Sequence, residues 1–322
     1  MSKILTGVKP TGSPHLGNLL GAIRPVIDMA NANDGASFVF IADIHALNNF
    51  KGAEFIREKT YEVAATFLAL GLDISKTAFY RQSDILEVFE LSSIIINFCS
   101  KGLMNRAHAY KAIIEGGGSD ADVNMGLYTY PILMAADILA MDADVVPVGL
   151  DQKQHIEIAR DIAGAFNHAT GTETLKLPEP GIQKEVETII GLDGRKMSKS
   201  YGNTVEVFTT PDDTAKKIAR IPTDSLSPED KKPADSTIFK LMELFGLDPT
   251  YREKYLSGGI GYGEAKKELA AAVNEMLAAP RTEYARIIAD RANIDKALAG
   301  GANKARATAA KTLAKVKKAL GL

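Results

Sequence analysis

Three stretches of this 322-residue chain place reactive side chains at spacings that chemistry can use. The first is Gly7-Val-Lys-Pro-Thr-Gly-Ser-Pro-His-Leu-Gly-Asn18. Ile4 to Thr6 reads as a short strand, and Leu16, Leu19, Leu20, Ile23, Val26 and Ile27 repeat with helical period, so Gly17 and Asn18 open a helix after a Gly/Pro loop. Unpaired N–H groups and the positive dipole of such a helix end hold phosphate, and glycine lets a ligand reach the backbone. Neither a P-loop signature nor the GxGxxG fingerprint is present, and a plain structural turn accounts for the loop equally well. His15 taken alone reads as a surface histidine. The second stretch, Gly194-Arg-Lys-Met-Ser-Lys-Ser200, joins three cations to two hydroxyls. Such a loop can fold over a triphosphate, its ammonium groups meeting the charge that builds on a departing pyrophosphate. By itself it is also an ordinary solvated basic loop. In the third, Tyr130, Met134 and Asp137 share one face of one helix. The Met and Tyr suit a core, but a carboxylate between them is costly to bury without a donor, and a bound ligand is one such donor. Asp151-Gln-Lys-Gln-His155 then starts the next helix, with Asp151 as its N-cap and Gln152 one turn from His155.

The elements that would position these groups alternate. Ser37 to Asp43 reads as a buried strand, Arg57 to Leu70 as a helix, Thr77 to Ile85 as a strand, and Leu91 to Phe98 lies in a helix. A Gly-rich break at Gly116 to Asp120 precedes a helix over Met125 to Met141, a short strand at Val145 to Val148 and a helix from Asp151 to about Asn167. Glu179 to Asn203 is loop-rich, and beyond Thr210 only helical patterns remain. Strand and helix alternation predicts an α/β fold, a Rossmann-like parallel sheet followed by a helical carboxyl-terminal domain.

Composition excludes several classes. With 46% hydrophobic and 24% charged residues the chain is not disordered, and no apolar run reaches membrane-spanning length. The amino terminus meets Gly and Pro too early for a signal peptide. One cysteine, Cys99, and no clustered Cys/His spacing leave neither an internal disulfide nor a zinc site, so a reducing cytoplasm is expected and no residue is assigned to a metal. Lys+Arg 38 against Asp+Glu 40 gives no overall bias toward polyanions. From Asn303 to Leu322, however, Lys304, Arg306, Lys311, Lys315, Lys317 and Lys318 have no acidic neighbour, which reads as a positive stripe beside a polyanion or as a solvated helix end.

Taken together, the segments resemble the class I aminoacyl-tRNA synthetases. His15-Leu-Gly-Asn18 is similar to the HIGH motif with its last His replaced by Asn, and Lys196-Met-Ser-Lys-Ser200 matches KMSKS throughout. Two such motifs in order are far more specific than either alone. Tyr130-Pro-Ile-Leu-Met-Ala-Ala-Asp-Ile138 and Val146-Pro-Val-Gly-Leu-Asp-Gln-Lys-Gln-His155 resemble the tryptophan branch of that family; tyrosyl relatives share both signatures but usually carry a different pocket helix.

The resemblance implies roles. Lys196, Lys199 and His15 would be catalytic. ATP would meet Lys9, Pro10, Thr11, Gly17, Asn18, Gly149, Leu150, Asp151 and Ile189 together with Lys196, Met197, Ser198, Lys199 and Ser200. Asp137 matches the carboxylate that accepts the indole N–H, with Met134 against the ring and Tyr130 and Gln152 at the amino-acid end. Lys9 stands where many relatives have Gln, Leu150 where many have Glu, and Tyr201-Gly202 where Asp-Pro is frequent. The family further implies Mg2+ with ATP, tRNA(Trp) as partner and a homodimer. Its layout would be a catalytic domain over residues 1–205, with a helical insertion near 101–145 at the dimer interface, and an anticodon-arm-binding domain over 206–322.

Overall fold

Short runs rich in Val, Ile and Phe settle as strands whose side chains alternate between two faces. In the computed structural model, which describes residues 2–149, 152–182 and 189–322, they form β1 (Ile4–Val8), β2 (Ser37–Ile41), β3 (Thr77–Arg81) and β4 (Val145–Val148), joined by β5 (Glu179–Ile182). All are parallel, in the order β3-β2-β1-β4-β5. Every residue of β2 is buried, as a strand covered on both faces requires. Val39, Ile41 and Phe79 point into one core, and Phe38, Phe40, Ala78 and Tyr80 into the other.

The helices sort accordingly. α1 (Leu16–Asn18) runs through a π turn at Leu19–Ile23 into α2 (Arg24–Ala32), followed by α3 (Ala53–Ala69), α4 (Leu86–Ile95), the short α5 (Lys101–Asn105) and α6 (His108–Glu115), α7 (Met125–Ala140) and α8 (Lys153–Thr170). Then come α9 (Pro211–Ala219), α10 (Thr237–Leu244), α11 (Pro249–Ser257), α12 (Tyr262–Ala289) and α13 (Arg291–Leu320). α2, α3, α9, α10 and α12 supply the first core, whereas α4, α7 and α8 supply the second. The parallel α/β architecture and the helical run after Thr210 are as the sequence predicts. No helix among the described residues is long and apolar enough to cross a membrane.

Several details differ. β5 falls in a segment expected to be loop, because Glu-Pro-Gly-Ile carries no strand signal; Pro and Gly are tolerated at a sheet edge, and a Cβ on Gly181 would stand 2.6 Å from a Val145 methyl. β3 stops at Arg81 and passes into a 3-10 turn, Gln82–Asp84. α3 starts at Ala53, one turn before Arg57. The N-cap of α8 is Gln152, whose side chain makes no capping hydrogen bond; Asp151, expected in that role, lies outside the described residues, as does Leu150.

α13 follows the outer edge of β3. Ile294 and Leu298 enter the first core, and Ala302, Ala305, Ala309, Leu313 and Val316 the second. At the crossing a Cβ on Gly301 would lie 1.9 Å from the Phe79 carbonyl oxygen, so only glycine admits this approach. Lys304 donates to the carbonyls of Ile74 and Ser75 (3.0 and 2.9 Å), Arg306 to that of Asp84 (2.9 Å), and Lys317 pairs with Glu90. Three of the six basic residues of the stripe therefore fasten the helix. Lys311, Lys315 and Lys318 are exposed and carry no ion pair among the described residues.

Candidate active site

In an open parallel sheet, ligands lie beyond the strand carboxyl ends where strand order reverses. Here β1 has β2 on one side and β4 on the other, so the crevice opens between the loops that follow β1 and β4. The first loop carries Lys9, Pro10 and Thr11, closed by a Thr11 N–H to Lys9 carbonyl bond of 2.9 Å, and the second carries the exposed Gly149. Two cavities, of about 890 Å³ beside the 171–177 loop and about 450 Å³ between α12 and α13, contain none of the candidate residues. Topology and side-chain chemistry therefore place the site, and cavity volume does not.

His15 caps α1. Its Nδ1 accepts from the Asn18 N–H (3.3 Å) while Asn18 Oδ1 accepts from the His15 N–H (3.2 Å). With Nδ1 accepting, the neutral ring carries its proton on Nε2, which leaves that nitrogen a donor. Partial burial and the charge of Lys199 push the imidazole below the ordinary histidine range, with Glu206 opposing, so the neutral form is favoured. Gly17 N–H reaches Met197 Sδ at 3.2 Å, and a Cβ on Gly12, whose φ is +117°, would stand 3.0 Å from Lys199 Nζ. Two motifs far apart in sequence thus interlock.

Asn203 holds the 191–203 loop in shape. Buried to 3% exposure, it accepts from the Ser198 N–H (2.8 Å) and donates to the Lys196 carbonyl (3.0 Å) and Asp193 (2.6 Å). That Asn203 bond, with Arg195 assisting, holds the exposed Asp193 carboxyl at about 2. Met197 N–H donates to the carbonyl of Ile189, which is itself buried. The loop is therefore braced on both sides while Lys196, Lys199 and Ser200 remain exposed. Partial burial, then the neighbouring Lys59 ammonium, lowers Lys199, against Glu206 and Glu62.

Across the crevice, Asp137 on α7 is 3% exposed. Its Oδ2 accepts from Gln82 Nε2 at 2.7 Å and lies 3.2 Å from His45 Nε2, while Oδ1 has no hydrogen bond to another described residue. Burial pushes this carboxyl up, and the His45 and Gln82 contacts oppose the shift. Gln82 Oε1 accepts from the His45 N–H (3.2 Å), which fixes the amide orientation. Tyr130, one face of α7 with Met134 and Asp137, shares a 2.6 Å hydrogen bond with His155 Nε2 and packs edge-on to His45, centroids 6.2 Å apart. Lys9 Nζ stands 5.8 Å from the Tyr130 centroid, joining the β1 loop to this pocket. Below, Phe40 stacks on Tyr80 at 5.9 Å, and Phe40 also covers Gly7, where a Cβ would stand 2.5 Å from the ring.

The structure thus gathers Gly17, Asn18, His15, Met197 and Lys199 in one group, sets Tyr130 and Asp137 on one face of α7, and places Lys9 beside Tyr130. Met134 is half-buried on the same helix face, and Gln152 caps α8 in an exposed position. Sequence reasoning missed His45, Gln82 and Asn203. The first two follow β2 and β3, and a search of polar residues just past strand ends would have found them; Asn203 has no comparable local signal.

The family of tRNA synthetases class I (W and Y) matches residues 1–278. Tryptophan–tRNA ligase of Neisseria meningitidis serogroup A is 50% identical over 99% of this chain and 98% of its own length, and that of Pseudomonas syringae pv. tomato is 46% identical over 100% and 74%. A crystal structure of tryptophanyl-tRNA synthetase from Campylobacter jejuni, complexed with ADP and tryptophan, superposes with a TM-score of 0.91 at 40% identity, covering 99% of this chain and 100% of the other.

Proposed function

This chain belongs to the class I tRNA synthetases of tryptophan and tyrosine, and from that premise we infer that it is a tryptophan–tRNA ligase. It activates L-tryptophan with ATP and transfers the amino acid to tRNA(Trp). In the first step a tryptophan carboxylate oxygen bonds to the α-phosphorus as the bond to the bridging oxygen breaks, giving tryptophanyl-adenylate and pyrophosphate. A ribose hydroxyl of the terminal tRNA adenosine then attacks the mixed anhydride and releases AMP.

In our reading the residues divide the work by charge. Lys196 and Lys199 meet the developing negative charge on pyrophosphate, where stabilisation specific to the transition state raises the rate. His15 Nε2–H donates to a phosphate oxygen, and Gly17 and Asn18 line the nucleotide beside it, their own N–H groups being taken by Met197 Sδ and His15 Nδ1. Pro10, Thr11, Gly149 and Ile189 line the nucleotide. Magnesium enters this reading as part of the substrate: no group of three His, Cys, Asp or Glu able to hold a metal exists among the described residues, and Glu62 and Glu206 are engaged by Lys59 and Lys217. The ion is then carried by the triphosphate.

One observation carries the amino-acid assignment. Asp137 is buried with Oδ2 satisfied by protein donors and Oδ1 left over, so the pocket asks for a ligand that donates one hydrogen bond and need not accept. Indole has this inventory; phenyl lacks the donor, and phenol adds an acceptor. Tyr130 and Gln152 hold the amino-acid end, with Met134 against the ring. Tryptophan-dependent exchange of labelled pyrophosphate into ATP, run beside tyrosine and phenylalanine and then with tRNA(Trp), tests the reading. Exchange supported best by tyrosine would replace it.

We assign residues 1–205 to activation and 206–322 to the anticodon arm, in the cytosol where tRNA is found. The chain pairs with a second copy near the 101–145 insertion. Supporting this, Phe50 and Met125 are exposed to 62% and 68%, and Asn48 Oδ1 lies 3.3 Å from where a Cβ on Gly126 would stand, so the two apolar residues belong to adjoining elements. Sedimentation of the free chain tests the pairing.

A further inference from the structure

The turn after β3 joins two regions through four consecutive residues. Arg81 pairs with Asp295 on α13, and its guanidinium lies 5.5 Å from the Tyr61 ring centroid. Gln82 turns the other way and donates to Asp137. Ser83 donates its N–H to Asp43 at 3.0 Å, and the Asp84 carbonyl accepts from Arg306 on α13 at 2.9 Å. The turn is held from outside by α13 at both ends and from inside by the carboxylate assigned to the indole. Successive strand residues point to opposite faces, so a force on Arg81 reaches Gln82 through one peptide unit.

We propose that Asp295, through Arg81 and Gln82, positions Asp137 and so sets how sharply the site selects its aromatic amino acid. This rests on the reading of Asp137 as the indole acceptor. Gln82 is 1% exposed, and its amide is fixed at both ends by His45 N–H and Asp137 Oδ2. A displacement of the turn therefore rotates the carboxylate and moves Oδ1, and hydrogen bonds weaken steeply as alignment is lost. Asp295 also accepts from the Tyr61 hydroxyl at 3.0 Å, so its carboxylate is itself oriented.

Asp295 touches neither substrate nor nucleotide, which makes it a positioning residue. Asp295→Asn keeps the size and the Tyr61 contact but removes the charge that holds Arg81. The expected result is a three- to tenfold fall, on the order of one weakened hydrogen bond, in the tryptophan over phenylalanine ratio of kcat/KM for pyrophosphate exchange, carried by KM for tryptophan, with the melting temperature nearly unchanged. Arg81→Ala should give the same fall, the double variant no more than either single one, and Asp295→Glu should recover most of the ratio. Lys317→Gln breaks another ion pair made by α13, to Glu90 on α4, without touching Tyr61 or Arg81, and should leave the ratio as it is. An unchanged ratio in Asp295→Asn, or an equal fall in Lys317→Gln, would overturn the proposal. Asp137→Asn run in parallel separates the two failures: if it too leaves the ratio flat, the indole assignment falls, and if it alone lowers the ratio, only the role of Asp295 does.

Discussion

The two ends of the crevice are built on opposite terms. Around Asp137 the polar groups satisfy one another: Gln82 and His45 bond to each other and to Asp137 Oδ2, Tyr130 and His155 form a second hydrogen-bonded pair packed edge-on to the His45 ring, and Asp137 Oδ1 has no hydrogen bond to another described residue. Around Lys199 the opposite holds. Partial burial disfavours its charge, Lys59 and Lys51 repel it, Glu206 and Glu62 pull the other way, and Lys196 is exposed close by in sequence. On the function proposed above, a neutral ring would be met by a pocket made in advance and a polyanion by mutually repelling cations that it would neutralise, so that complementarity would select and charge would accelerate.

Breaking the accelerating end should have the largest effect. Lys199→Ala is expected to slow single-turnover adenylate formation by about 10²–10³ while the tryptophan dissociation constant stays close to wild type, since the contact strengthens as pyrophosphate charge develops. Because the chain contains no Trp, indole fluorescence reports bound substrate without protein background. Normal adenylation in this variant would remove Lys199 from the chemistry.

At the selecting end, discrimination between tryptophan and phenylalanine should fall about tenfold in Asp137→Asn and further in Asp137→Ala. Stability should move too, by about 2–4 kcal/mol for the alanine, because Gln82 Nε2 and His45 Nε2 lose their acceptor. Exchange rates and denaturant midpoints measured together sharpen the contrast: a loss of stability at constant selectivity would make Asp137 a purely structural carboxylate.

The basic stripe offers a smaller effect. Replacing Lys311, Lys315 and Lys318 with Gln should weaken tRNA binding several-fold and reduce its salt slope by about 2–3, with pyrophosphate exchange unchanged. The other three cations fasten the helix to the segments flanking β3 and to α4, and are unsuitable for this test. Aminoacylation identical to wild type across a salt series would return these lysines to the role of a solvated face.

The smallest effect concerns pH. His15 has a folded pKa below its unfolded value, so the unfolded chain takes up protons first on acidification, and stability falls as pH drops below about 6.5 toward the folded pKa. His15→Gln should flatten that limb of the melting temperature against pH. Equal slopes in both proteins would mean that the imidazole is as easily protonated folded as unfolded.

What the sequence showed and hid has a physical pattern. Periodicity located β1 to β4 and the main helices because each contrasts a buried face with a solvated one. β5 was invisible, since Glu179-Pro-Gly-Ile182 owes its conformation to pairing with β4 and nothing local favours it. In the site, groups that lie within a contiguous motif were legible from the resemblance. His45, Gln82 and Asn203 were not, because each matters through a partner distant in sequence, and single polar residues leave no periodic trace. The split of the basic stripe into fastening and exposed members was equally hidden, as it depends on which groups of the segments flanking β3 and of α4 lie below each turn of α13.

Gly301 against the Phe79 carbonyl also bears on how such a chain is made. Synthesis proceeds from the amino end, so β3 leaves the ribosome long before the helix that shields its edge; 222 residues separate Asp84 from the Arg306 that binds it. During that interval the nascent sheet presents an open row of peptide groups, the feature by which strands recruit other chains. Chaperone occupancy during translation should accordingly persist until α13 emerges, and replacing Gly301 with a larger residue should show itself first as aggregation of newly made protein.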